Sequence, residues 1–213
     1  SMEAMWTLSG FADEISPDLD EQVALVTGLG LRFIELRSAW DVNILDLDGE
    51  QLSRVKTTLD GAGLGVSSIG SPIGKIAITD DNAPHLERMP HAADVAKLFG
   101  APFIRMFSYF IPAGADPDGY RDEVIARIGD LAAIAEDAGV TLIHENEKEI
   151  FGDIARRCLD IVEAVDSPAL ALTWDNANFV QCGVRPFTEA YPLPAPHVAY
   201  LQVKDALAAD GTV

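Results

Sequence analysis

Four stretches of the chain share one joint: GLGLRFIEL at 28–36, GAGLGVSSI at 61–69, LFGAPFIRM at 98–106 and DAGVTLIHE at 137–145. In each, a helical pattern stops at a glycine and a short apolar run follows at once. The joints begin at residues 28, 61, 98 and 137, a repeat of roughly 30 to 40 residues. Short apolar runs bounded by glycine read as buried strands, and the patterned stretches between them read as helices. Sustained alternation of this kind demands parallel strands joined by helical crossovers.

Working outward from the joints, strands are expected over 7–15, 32–38, 64–71, 101–110, 140–147, 169–177 and 198–205. Helices are expected over 18–30, 49–63, 82–100, 118–139 and 153–165, with a short one at 187–191. Ser16-Pro17-Asp18 supplies start signals for the first helix, and Gly28 or Gly30 stops it. No Gly-x-Gly-x-x-Gly follows the first strand and no Walker loop occurs, which argues against a nucleotide-binding doubly wound sheet. Polar side chains end nearly every expected strand: Asp13, Glu14, Glu35, Arg37, Arg105, Glu145, Asp175 and Lys204. A (β/α)8 TIM barrel collects its active site at those ends. The expected fold is therefore α/β, a single TIM-barrel domain over 1–213. Only seven strands can be counted, so the eighth βα unit is expected to be missing from the C-terminal side.

The chain has 213 residues, 48% of them hydrophobic and 23% charged, which suits one sizeable core. No apolar run approaches the ~20 residues of a membrane span, and no secretory leader pattern is present. A cytoplasmic protein is expected. The net charge of −19, with 15 Lys and Arg that never cluster, speaks against nucleic acid and anionic membrane as partners. Cys158 and Cys182 make neither a disulfide framework nor a zinc signature.

Three late segments carry the chemistry: VTLIHENEKEIFGD at 140–153, LALTWDNANFVQ at 170–181 and VAYLQVKDA at 198–206. Glu145, Asp175 and Gln202 each sit where an apolar run ends. On neighbouring parallel strands their oxygen atoms would converge at one mouth of a barrel. Two carboxylates and an amide oxygen suit Mg2+ or Mn2+, with Co2+ or Zn2+ as the alternatives. Strand alternation puts Ile143 and Glu145 on one face and Leu142 and His144 on the other, so His144 is expected to pack outward.

These residues resemble the xylose isomerase-like barrel superfamily, which includes sugar phosphate isomerases and epimerases, inosose dehydratases and the endonuclease IV type of repair enzyme. The resemblance runs from GFADEIS to LQVKDA, and its most specific pieces are GLGLRFIELR, LIHENEKEIFGD, WDNANF and LQVKDA. It implies a divalent metal held by Glu, Asp, His and Glu from strands five to eight. Glu145 and Asp175 match the first two positions. Gln202 stands where the family has His, and the fourth position has no counterpart before Val213.

The resemblance further implies removal of a proton α to a carbonyl through a metal-bound enediolate, with Glu145 as one base and Lys204 assisting as proton donor. It also suggests Asn178 as a substrate contact, at a position where some epimerases carry His. Arg105, Glu35 and Lys148 complete the candidate substrate-binding set; for Arg105 the competing role is an ion pair with Glu145 or Glu35. The expected activity is a sugar or sugar phosphate isomerase or epimerase. An inosose-type dehydratase, or a non-catalytic member with a degraded metal site, is the alternative. The expected partner is a small sugar or polyol, and a homodimer is compatible with the sequence. A repair nuclease is disfavoured by the acidic charge and by four histidines of which none ends a ligand strand.

Overall fold

The computed structural model describes residues 7–175, 178 and 195–202. In chain order its helices are α1 Leu19–Gly28, α2 Gly49–Gly61, α3 Ala83–Phe99, α4 Arg121–Ala138 and α5 Ala155–Val165. Its strands are β1 Phe33–Leu36, β2 Ser38–Ala39, β3 Val42–Asn43, β4 Gly65–Ile69, β5 Phe103–Met106, β6 Thr141–Glu145, β7 Leu170–Asp175 and β8 Val198–Gln202. The chain divides into two compact units, one of Ser1–Ser71 with His91–Ile104 and the other of Pro72–Pro90 with Arg105–Val213.

In the first unit β1 pairs parallel with β4, Phe33 opposite Gly65 and Leu36 opposite Ile69. β4 pairs parallel with β5. α1 starts at Asp18, whose side chain accepts the Glu21 N–H. α2 starts with a capping box: Asp48 accepts from the Gln51 N–H, and the Gln51 side chain accepts from the Asp48 N–H.

The expected strand over 7–15 is not one. Residues 7–11 have no regular structure, and Ala12–Glu14 form a 3-10 turn. The Glu35 N–H donates to the Gly10 carbonyl, but the chain then turns. The turn lets Asp13 accept two N–H bonds from Arg37, at 2.7 and 2.9 Å, and the Ser38 hydroxyl at 2.6 Å. A charged bidentate pair reinforced by a hydroxyl outweighs one more ladder bond.

A hairpin of β2 and β3 follows β1 and was not expected. Its two turn residues, Trp40 and Asp41, have φ of 55° and 60°. Trp40 is partly exposed, and Arg54 lies 4.9 Å from its ring.

In the second unit β6, β7 and β8 pair parallel in that order. α4 buries Val124, Ile128, Leu131, Ala132 and Ala135, one stripe of a helix. Gly139, at φ 73°, ends α4 where the DAG joint placed the stop. The loop after β4 folds against the segment after β5: Phe107, Tyr109 and Phe110 donate backbone bonds to Ile73, Gly74 and Ile76. Gly74 has φ 86°, and a Cβ there would run into the Phe107 carbonyl, so only glycine fits.

Among the described residues no helix is long and apolar enough to cross a membrane. The expected short helix at 187–191 lies outside the described residues.

Candidate metal and substrate site

Three parallel strands of the second unit build the site, and their register fixes which side chains share a face. Glu145 on β6 stands opposite Thr173 on β7, and Thr173 stands opposite Tyr200 on β8. Two residues further along, Asp175 stands opposite Gln202. Residues in register on parallel strands project to the same side, as do residues two apart. Glu145, Thr173, Asp175 and Gln202 therefore occupy one face, and all four are buried.

Glu145 and Gln202 meet across the intervening strand. The Gln202 Nε2 donates to Glu145 Oε2 at 3.1 Å. Their strands flank β7, so this bond passes in front of the face that carries Thr173 and Asp175. The Arg105 Nη1 lies 3.6 Å from the same Glu145 Oε2. Arg105 is itself buried, and its guanidinium lies 5.0 Å from the Phe107 ring. Of the two roles open to Arg105 in the sequence, the structure contains the ion pair with Glu145.

Asp175 is fully buried and held by a circuit of amides. Asn146 donates from Nδ2 to the Asp175 carbonyl and accepts the Asp175 N–H at Oδ1, both at 3.0 Å. Asn178 donates its N–H to Asp175 Oδ1 at 3.0 Å and its Nδ2 to the Asn146 carbonyl at 2.8 Å. One side-chain amide thus reads both polar groups of the Asp175 main chain, which fixes the peptide that aims the carboxylate. Asn146 was not among the expected site residues. Its signal was its place directly after Glu145, but an asparagine at a strand end reads equally well as a turn residue.

The remaining candidates are placed as follows. Asn178 spends its amide N–H on Asn146. Lys148 is exposed, next to Glu149 at φ 69°. Glu147 pairs with Lys75 at 3.1 Å, and Lys75 Nζ lies 4.4 Å from the Phe107 ring. Glu35 is buried in the first unit, opposite Ser68. Trp174 is buried on the face of β7 opposite Asp175. Lys204 and Trp6 lie outside the described residues.

His144 points away from this face, into a closed packing site. Its Nε2 is 2.8 Å from the Ser108 hydroxyl, which accepts the Gly152 N–H at 2.7 Å. Burial pushes the ring down to about 3, so it is neutral at pH 7.

The donor set fits a hard divalent cation. Gln202 is 6% exposed, and its Oε1 finds no hydrogen-bond partner among the described residues. A buried acceptor without a partner costs free energy unless a ligand satisfies it. Oxygen atoms from Glu145, Asp175 and Gln202 on adjacent strands suit Mg2+ or Mn2+. No group of three His, Cys, Asp or Glu that could hold a metal occurs among the described residues.

The family model described as the xylose isomerase-like TIM barrel matches residues 23–212. A search by sequence among curated proteins finds no match. Among solved structures the chain is similar to a xylose isomerase-like TIM barrel protein from Mycobacterium smegmatis in complex with magnesium. The TM-score is 0.77 at 20% identity, over 94% of this chain and 75% of that one. A D-tagatose 3-epimerase-like protein gives a TM-score of 0.75 at 15% identity, over 95% and 78%. The probable 3-DHS dehydratase from Bacillus anthracis gives 0.70 at 20% identity, over 84% and 65%. At these identities the likeness is one of fold: α/β, of the TIM-barrel class.

Proposed function

We propose, for a chain that belongs to the xylose isomerase-like TIM barrel family, that it isomerises or epimerises a small keto sugar or sugar phosphate with the help of Mn2+ or Mg2+. The observation that carries this reading is the buried Gln202 Oε1, without a hydrogen-bond partner among the described residues, on the same face as Glu145 and Asp175. Glu145, Asp175 and Gln202 would hold the cation. When bound, such a cation supplies Lewis-acid polarisation of a substrate carbonyl.

The protein's own groups would do the rest. Glu145, as a carboxylate, takes a proton from the carbon α to the carbonyl, leaving an enediolate. Returning that proton to the neighbouring carbon isomerises the sugar, and delivery by a second acid from the opposite face epimerises it. Lys204 is the candidate second donor. Arg105 offsets the negative charge at Glu145, and the Asn146–Asn178 circuit holds Asp175 in place. A small sugar or polyol as substrate, no nucleic acid or membrane partner, a homodimer as a compatible state and a cytoplasmic setting belong to the same proposal.

The structural likeness to a probable dehydratase favours one second reading, a lyase that expels hydroxide from the carbon β to the carbonyl. Incubation of keto-hexoses, free and phosphorylated, with the protein and Mn2+ in D2O separates the two. An isomerase or epimerase gives a product of conserved composition carrying deuterium at the exchanged carbon. A lyase gives a product short of one water. Neither product, with Mn2+ bound, would refute the enzymatic reading.

A further inference from the structure

We infer that Thr173 is a further residue of this site, its hydroxyl binding a water or substrate oxygen that shares the cation with Glu145, Asp175 and Gln202; the inference rests on the cation-binding reading above. Thr173 stands in register with Glu145 on one side and Tyr200 on the other, two residues before Asp175 on the same face. It thus lies behind the Gln202–Glu145 hydrogen bond that crosses β7. Thr173 is 2% exposed, and its Oγ1 finds no hydrogen-bond partner among the described residues.

A threonine in a buried strand ordinarily satisfies its hydroxyl, and an unsatisfied one destabilises the fold. Two such atoms, Thr173 Oγ1 and Gln202 Oε1, stand on adjacent strands and on one face. They differ in chemistry. Gln202 Oε1 can only accept, so a cation or a donor satisfies it. The Thr173 hydroxyl can donate, so an oxygen satisfies it. A hydrated cation, or one carrying a substrate hydroxyl, presents both partners together. Valine has nearly the volume of threonine and lacks the hydroxyl, so a purely structural Thr173 would gain from the change.

The test compares wild type, Thr173→Val and Thr173→Ser by calorimetric titration with Mn2+ alone and by urea unfolding without metal. The expected result is that Thr173→Val unfolds at a urea concentration no lower than wild type yet binds Mn2+ about 10- to 100-fold more weakly, the range for groups that orient metal ligands. Thr173→Ser, which keeps the hydroxyl, should bind within about threefold of wild type on the same reasoning. Thr173→Val with wild-type affinity overturns the inference. So does a Thr173→Val protein that is less stable or fails to fold, because the hydroxyl then has a structural partner. If wild type itself binds no Mn2+, the cation-binding reading falls first and takes this one with it.

Discussion

Glu145→Gln is expected to lower kcat/KM for keto-sugar isomerisation by about 10²- to 10⁴-fold, the usual worth of a positioned proton-transfer group. Glutamine keeps the volume of Glu145 and leaves an oxygen facing Arg105 and Gln202, so the packing of three strands is disturbed little. What it removes is the negative charge that, on the proposed reading, would bind the cation and accept the α-proton. Exchange of that proton with D2O, followed by NMR, reads the step directly and does not depend on which isomer is released. The urea midpoint of the variant controls for folding. Exchange within threefold of wild type would show that another group is the base.

Acid should weaken the fold through His144. The ring is fully buried, and burial lowers it from an ordinary value of 6.5 to about 3. Among the described residues its one hydrogen-bond partner is Ser108, which already accepts the Gly152 N–H, and a Cβ on Gly152 would collide with the ring. Below pH 6.5 the unfolded chain binds a proton at this histidine while the folded protein does not. Its stabilising contribution is therefore complete above about pH 6.5 and is lost as pH falls toward 3. The slope is roughly 1.4 kcal/mol per pH unit, so about 2 kcal/mol disappears between pH 6.5 and 5.

His85 is lowered as well, by burial first and then by Arg88, and it contributes with the same sign. Its Nδ1 accepts the Gly74 N–H and must stay unprotonated to do so. Urea unfolding of wild type and His144→Gln at both pH values checks the account. The variant should lose about one proton's worth of the slope whatever its stability at pH 7. An unchanged slope would mean that His144 does not titrate between the folded and unfolded states.

The βα repeat was legible because its signals are local. Each joint puts a helix stop beside a buried run, and Gly139 does in the structure what the DAG spacing implied. The outward direction of His144 was legible for the same reason, since strand alternation needs only the position of Glu145. Other features depend on distant residues. The turn at Ala12–Glu14 replaces an expected strand because Asp13 is drawn to Arg37, 24 residues on. The β2–β3 hairpin carries no Asn-Gly or Asp-Gly signal; Trp40 and Asp41 take the left-handed conformation there.

The strand-end rule led to Glu145, Asp175 and Gln202, which the register places on one buried face, because position along a strand was enough. It gave no sign of Asn146, nor of Thr173 as the further residue proposed above. Asn146 works through hydrogen bonds to a residue 29 positions away. Thr173 draws attention only once its neighbours in register are known.

The central claim, one cation shared by Glu145, Asp175 and Gln202, is tested most directly by Mn2+ titration followed by EPR, in which free and protein-bound ion are distinguished. Wild type should bind a single Mn2+ per chain, and Glu145→Ala and Asp175→Ala should each lose it while keeping a cooperative unfolding transition. Full Mn2+ affinity in both variants would contradict the account.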